Sequence, residues 1–441
     1  MWEEERFHPS IFPEGKMPKI PLENPLDGIF ITDTTFRDGL QSMEPLTPEQ
    51  ALALFDFLNR LEGGRGVITQ TEVFIYSKTD LEILRRMRER EYEFPEITTW
   101  IRAAESDFEL VKTLRIDETG MLMSVSDHHI SAKFKGDENA AFKNYVGTAE
   151  KAFAHGINVR AHFEDITRAR MGFAIPLAER LLELALEYGG EIKIRICDTL
   201  GLGLPFLEAG LPRSVPRIVR LLREAGYSQA QLEFHGHNDM HMATANSFSA
   251  WLHGCGGVNC TLLGIGERTG NTPLEGMLSF YSQLTGKEFD FTIVSELAEY
   301  MKGIGVQVPD KMPYVGADAF KTRAGIHVDG GLKRDGLYVP FPPELLGRRE
   351  EFAITEKSGT AGVVRWILDN FGEKLDKSDP RVARWWAEIQ EQYDNGRVTS
   401  ISDSEMLRLA QKHGIIEKSG RRGARETGIG AGRESGFVVI R

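Results

Sequence analysis

Eight short apolar runs, each followed by an amphipathic stretch, constrain this chain more than any other feature. The runs lie at 28–36, 67–75, 98–103, 121–126, 157–165, 191–199, 231–238 and 258–266; the helical stretches run from TPEQALALFDFLNRLE (47–62) to PLEGMLSFYSQLTG (273–286). Strand and helix signals that alternate in this way over about 260 residues predict an α/β fold, a (β/α)8 TIM barrel. The alternative is an open doubly wound sheet, but no GxGxxG follows the first run. Helix starts agree with the pattern: Thr47 precedes Pro48, and Ser214 precedes Val215-Pro216, each an N-cap with proline in the first turn.

The flanks have a different texture. Residues 1–27 carry five prolines and little periodicity, so an extended N-terminal arm is expected there, followed by the catalytic barrel over 28–290. Mainly helical C-terminal subdomains are expected over 291–418, with helices at 295–309, 356–373 and 380–414, and the Gly/Arg-rich residues 419–441 read as a flexible tail. The net charge of -12 removes the electrostatic footprint for nucleic acid or an anionic membrane. There is no apolar leader and no run near the roughly 20 apolar residues of a membrane span. Three cysteines without a CxxC pair suit a reducing compartment, so a cytoplasmic protein is expected.

In such a barrel, chemistry sits at the C-terminal ends of the strands. The seventh run, QLEFHGHN, ends in two histidines two residues apart, which share one face of a strand. Two imidazoles converging in this way suit a divalent cation, although hydrogen-bonded strand-end histidines read equally well from this run alone. The other ends supply Arg37-Asp38-Gly39, His162 to Asp165, Asp198-Thr199 and Gly266 to Asn271. Asp38, His235, His237 and Asn271 therefore form a candidate metal shell. By parity, Arg160, Arg195 and Glu233 face the lumen beneath it, where Glu233 must lie between basic partners. Arg37, beside Asp38, is placed to polarise a keto oxygen. His327, in AGIHVDG (324–330), lies between glycines in what reads as an irregular segment, where a surface or packing histidine is the plainer alternative.

Taken together, DTTFRDG (33–39), SDHH (126–129), HFEDITR (162–168), CDTLG (197–201), HGHND (235–239), GIGERTGN (264–271) and AGIHVDG resemble, in order, the motifs of the DRE-TIM metallolyase superfamily. Within it the chain resembles the acyl-CoA condensing branch of isopropylmalate, homocitrate, citramalate and Re-type citrate synthases. The likeness to the Re-type citrate synthases is carried by HFEDITRA, GLPRSVPRIV and TEKSGTAG. The resemblance implies that Asp38, His235 and His237 are metal ligands with Asn271 close by, and that Arg37 and Thr199 hold the 2-oxo acid. It puts Glu164 against the substrate near the metal, and gives Glu267 and His327 to acetyl-CoA activation. Arg37, Glu267, His327 and Glu164 are thus the expected catalytic residues, and Gln41, His162, Thr199 and Arg195 the expected substrate-binding ones. It further implies a homodimer in which the His327 segment reaches over the partner's barrel. Two departures stand out: Leu40 follows Arg-Asp-Gly where most relatives carry glutamate, and no long regulatory domain follows, so feedback by leucine is not expected.

The expected reaction is a metal-dependent Claisen condensation of acetyl-CoA with a 2-oxo acid, an acyltransferase chemistry. Oxaloacetate is the first acceptor, giving citrate; 2-oxoisovalerate and 2-oxoglutarate, the isopropylmalate and homocitrate synthase acceptors, are the alternatives. Mn2+ is the expected cofactor, with Mg2+, Co2+ or Zn2+ as alternatives. A second carboxylate needs basic donors, for which His162, Arg195 and Arg168 are the candidates. A CoA-thioester lyase would need a glycine-flanked cysteine after strand eight, where GERTGN stands. Biotin-dependent carboxyl transfer and a non-enzymatic metal-binding role are the remaining rivals.

Overall fold

The computed structural model describes residues 28–334 and 336–416; the expected arm and tail lie outside the described residues. The chain divides into two compact units at the Gln307/Val308 boundary. In the first, eight parallel strands close into a barrel in sequential order: β1 (Phe30–Asp33), β2 (Ile68–Val73), β3 (Glu96–Arg102), β4 (Glu118–Ser124), β5 (Asn158–Glu164), β6 (Ile192–Asp198), β7 (Leu232–Gly236) and β8 (Gly257–Cys260). The helices are α1 (Pro48–Glu62), α2 (Lys78–Arg88), α3 (Glu105–Leu114), α4 (Asp127–Phe134), α5 (Glu138–Ala154), α6 (Met171–Tyr188), α7 (Val215–Glu224), α8 (Ala243–Leu252), α9 (Leu274–Thr285) and α10 (Thr292–Gly303).

Local chemistry explains where these elements begin. Thr47 and Gln50 form a reciprocal capping box at the start of α1, and the Ser214 hydroxyl accepts from the Arg217 N–H at the start of α7. Along the strands, one parity is apolar and sealed under the helices: Ala161, Phe163, Ile194, Ile196, Phe234 and Val258 are all fully buried. Two elements depart from expectation. Between β4 and α5 stands α4, an eight-residue helix whose only buried residue is Ile130, too short for its periodicity to register. The helix expected at 295–309 is α10, and it packs on the barrel: Phe57 and Tyr300 bring their ring centroids to 5.6 Å, and Arg60 pairs with Glu296 at 2.7 Å.

The opposite parity fills the lumen with charge. Arg195 bridges Glu72, at 3.0 Å to each carboxylate oxygen, and Glu233 at 2.8 Å. Arg160 meets Glu233 at 3.1 Å and also pairs with Glu118. Glu233 therefore lies between two guanidinium groups. Gly120 makes room for this layer: a Cβ there would stand 2.6 Å from His162 Nε2 and 2.7 Å from Glu72 Oε2.

The second unit contains β9 (Lys321–Thr322), α11 (Gly325–Lys333), β10 (Glu351–Phe352), α12 (Gly359–Phe371), α13 (Pro380–Asp394) and α14 (Asp403–Lys412). Its core gathers Val363, Ile367, Trp385, Ile389 and Met406. The segment around His327, expected to be irregular, is helical. Its glycines serve close packing instead of a turn: a Cβ on Gly330 would meet the Tyr338 ring at 2.6 Å, and one on Gly331 would meet Phe352 at 3.1 Å.

Candidate active site

Asp38 leaves β1 on a single π-helical turn, Thr35–Gly39. That turn is anchored from below, because the buried Asp33 carboxylate accepts from the Thr35 N–H at 3.1 Å and from the Thr35 and Thr71 hydroxyls at 2.5 and 2.6 Å. Burial lifts the Asp33 carboxyl to about 7 even though these donors oppose it. Thr35 Oγ1 also accepts from the Leu262 N–H at 2.9 Å, tying the turn to the segment after β8.

Asp38 Oδ2 lies 3.7 Å from His235 Nε2 and 3.6 Å from His237 Nε2, and the two Nε2 atoms are 3.4 Å apart. All three residues are buried, and among the described residues they form the group of ligating side chains whose donor atoms converge for a cation. Asn271 completes the cluster: its Nδ2 donates to Asp38 Oδ2 at 2.7 Å, while its buried Oδ1 has no hydrogen-bond partner among the described residues. Loop backbone sets its position, through the Asn271 N–H to Gly264 O at 2.9 Å and the Asn238 N–H to Gly270 O at 2.9 Å.

Electrostatics favour cation binding here. Burial pushes both imidazoles down and keeps them neutral against the pull of Asp38. Burial would raise Asp38 itself, but the Arg37 guanidinium and the Asn271 amide N–H oppose it and hold the carboxyl low. An ionised carboxylate, two neutral imidazoles and an orphaned amide oxygen make a donor set that fits a divalent cation.

Behind His235 runs a one-way series of hydrogen bonds. His235 Nδ1–H donates to Asn259 Oδ1 at 2.8 Å, Asn259 Nδ2 to Thr32 Oγ1 at 2.9 Å, and Thr32 Oγ1 to Glu233 Oε1 at 2.5 Å. This fixes the ring and turns the Nε2 lone pair toward Asp38. Neither Asn259 nor Thr32 stood out in the sequence; the signal available was a polar residue at an inward position of β8 and of β1. Asn259→Ala is expected to weaken Mn2+ binding about 10- to 100-fold, read by calorimetric titration, whereas unchanged affinity would leave the series without a part in holding the ring.

Arg37 is the nearest cation. Its Nε donates to Glu72 Oε1 at 2.7 Å and to Thr34 Oγ1 at 3.2 Å, and its Nη1 stands 3.6 Å from Asp38 Oδ1. Glu72, overlooked in the sequence, is the hub below. Burial would raise its carboxyl, but Arg195, His162 and Arg37 hold it well below the usual range. Arg195 and His162, expected to bind substrate, both lie in this sealed layer at 0% and 2% exposure, with His162 Nε2 3.2 Å from Glu72. Direct contact with substrate is corrected to support of Glu72. The reason is depth: each sits one inward position, two residues, below the last inward residue of its strand, Glu164 on β5 and Cys197 on β6.

The other expected residues of the first unit lie at or beyond the C-terminal ends of the strands. Glu164, half-buried at the end of β5, accepts from His129 Nδ1 at 2.8 Å, Lys133 Nζ at 2.6 Å and the Ser124 hydroxyl. Thr199 Oγ1 accepts from the Asp165 N–H at 2.8 Å. Gln41 is exposed on the short turn Leu40–Ser42, and Glu267 is exposed on the loop after β8. His327 belongs to the second unit, where its ring stacks on Tyr338 at 4.2 Å. His129 and Lys133 were not among the expected site residues; their four-residue spacing on one helical face was the signal.

Residues 28–300 match the family model described as HMGL-like. The chain belongs to the HMGL-like family. A citrate (Re)-synthase of Clostridium kluyveri is 43% identical over 94% of this chain and 96% of its own length. A citrate (Re)-synthase of Syntrophus aciditrophicus is 42% identical over 93% of this chain and 68% of its own. A 2-phosphinomethylmalate synthase of Streptomyces hygroscopicus is 38% identical over 93% and 97%. The hydroxymethylglutaryl-CoA lyase of Pseudomonas aeruginosa shares the fold, with a TM-score of 0.52 at 17% identity over 65% of this chain and 96% of that one. In this HMGL-like barrel Asp38, His235 and His237 meet at the C-terminal ends of the strands. Among the described residues no helix is long and apolar enough to cross a membrane.

Proposed function

We propose that this HMGL-like chain is a Re-type citrate synthase, condensing acetyl-CoA with oxaloacetate and hydrolysing the thioester to citrate and free CoA. The observation that carries the reading is the meeting of Asp38, His235 and His237 at the barrel mouth in a chain akin to citrate (Re)-synthases over nearly its whole length. The product in the name of the Streptomyces hygroscopicus relative is also a malate, carrying a phosphinomethyl arm where citrate carries a carboxymethyl arm. Both relatives thus point to an acceptor with an anionic distal group.

A divalent cation, with Mn2+ as the first choice, held by Asp38, His235 and His237 with Asn271 beside them, would supply Lewis acidity and an anchor for the acceptor's keto oxygen and carboxylate. Arg37 neutralises negative charge growing on the keto oxygen, its guanidinium held in place by Glu72. Thr199 and Gln41 hold the carboxylate next to the keto group, and Glu164 orders the wall opposite. A base removes a proton from the acetyl methyl group, the step for which the resemblance offers His327 and Glu267. The resulting carbanion forms the new carbon–carbon bond at the keto carbon, the alkoxide takes up a proton, and water cleaves the thioester to release the thiol. A cytoplasmic homodimer is the form we assign to the enzyme.

The test is thiol release from acetyl-CoA by the Mn2+-loaded full-length chain with oxaloacetate, 2-oxoisovalerate or 2-oxoglutarate, with and without chelator. Oxaloacetate is expected to give the highest kcat/KM and chelation to abolish it; preference for another acceptor, or turnover indifferent to chelator, would overturn the reading.

A further inference from the structure

An acceptor with a distal carboxylate needs a cation to read it, and those expected from the sequence are committed elsewhere. His162 and Arg195 are sealed beneath the mouth. Arg168 is held by Asp165, its Nε 2.9 and 3.0 Å from the two carboxylate oxygens and its Nη2 2.7 Å from one of them. Arg37 is fastened to Glu72 and lies beside Asp38.

Resting on the function proposed above, we infer that Lys133, on α4, determines acceptor specificity by pairing with that distal carboxylate, with Glu164 and Ser124 as its positioning residues. The Lys133 side chain is 40% exposed. Its ammonium donates to Ser124 Oγ at 2.7 Å and to Glu164 Oε2 at 2.6 Å. An ammonium has three donors, so a third N–H remains for a ligand. The two partners fix the ammonium, so little freedom is lost when substrate arrives. Burial would raise Glu164, but hydrogen bonds from His129, Lys133 and Ser124 bring it down to about 2 and keep it ionised as an anchor.

Register puts this group level with the metal-ligand cluster. Ser124 pairs with Glu164 across β4 and β5, Glu164 with Cys197 across β5 and β6, and Cys197 with His235 across β6 and β7. Glu164 and His235 stand two strand spacings apart around one ring, about 10 Å. Both lie on the inward parity of their strands, a gap that a four-carbon diacid and a lysine side chain together span. The same arrangement selects against branched aliphatic acceptors, which would desolvate the ammonium without pairing it.

The test compares the full-length, Mn2+-loaded wild type with Lys133→Met and Lys133→Arg in acetyl-CoA-dependent thiol release. Lys133→Met is expected to raise the KM for oxaloacetate about 10- to 100-fold, the loss expected for a hydrogen bond to a charged group, with a smaller change in kcat. Lys133→Arg should recover part of that loss. Oxalate, which can engage the metal site but lacks the distal arm, is titrated calorimetrically into each protein and should bind the variants as it binds the wild type. An unchanged KM for oxaloacetate, or oxalate affinity falling in parallel with it, overturns the inference. A wild type that turns over oxaloacetate beside an unaltered Lys133→Met sinks this inference alone, whereas a wild type that refuses oxaloacetate sinks the function and the inference with it.

Discussion

Asp38→Asn is expected to lower kcat/KM about a thousandfold, because the several kcal/mol of charge stabilisation that a bound cation contributes would be lost at about 1.4 kcal/mol per factor of ten. The substitution keeps the shape of the side chain and removes the only anionic donor among the three converging residues. It also disrupts the contact with Asn271, whose Nδ2 donates to Asp38 Oδ2; two amides then face each other where an amide faced a carboxylate. Calorimetric titration with Mn2+ should show affinity falling with activity, and chelation of the wild type should reproduce the loss. The fold should survive, since Asp33 and its hydroxyl donors, not Asp38, anchor the turn. Retention of wild-type Mn2+ affinity in this variant would remove Asp38 from the shell.

Glu72→Ala is expected to destabilise the barrel by about 3–5 kcal/mol, the cost of stripping one partner from a buried ion pair. Glu72 is fully buried and holds Arg195 through both oxygens, Arg37 at 2.7 Å and His162 at 3.2 Å. Without it, those groups share the lumen with no central counter-charge, and a cavity opens where the carboxylate stood. A fall of roughly 10 °C in the barrel's melting transition follows. Glu72→Gln, which keeps the volume and an acceptor, should fall between the two. The same loss frees Arg37, so kcat should drop well below the melting range. A variant with both stability and turnover intact would show that the guanidinium groups find compensation elsewhere.

The barrel was legible because strand and helix patterns differ in period, and eight alternations leave few other ways to bury their apolar faces. The cation cluster was legible for a related reason: parity places His235 and His237 on one face, and strand ends in a barrel meet at one mouth. What escaped was depth and partnership. Arg195 and His162 have the same inward parity as Cys197 and Glu164, but one inward step is about 6.6 Å along a strand, the difference between meeting substrate and being sealed beneath it. Glu72 read as an ordinary strand residue because its partners come from β1, β5 and β6. The α4 helix, with a single buried residue, left too weak an apolar stripe to find, and His129 and Lys133 went with it. In the second unit, glycines required for close packing at Gly330 and Gly331 read as loop residues and concealed α11.

The barrel closes where β1 pairs with β8, and the cation cluster straddles that seam: Asp38 follows β1, the histidines come from β7, and Asn271 follows β8. Asp38 and Asn271 are 233 residues apart in the chain. During synthesis, a nascent chain therefore has no complete cation cradle until its eighth strand has emerged and docked beside its first. Ion capture at this cluster would accordingly report ring closure, and a refolding chain would gain affinity for the ion in the same step that removes its last two open sheet edges.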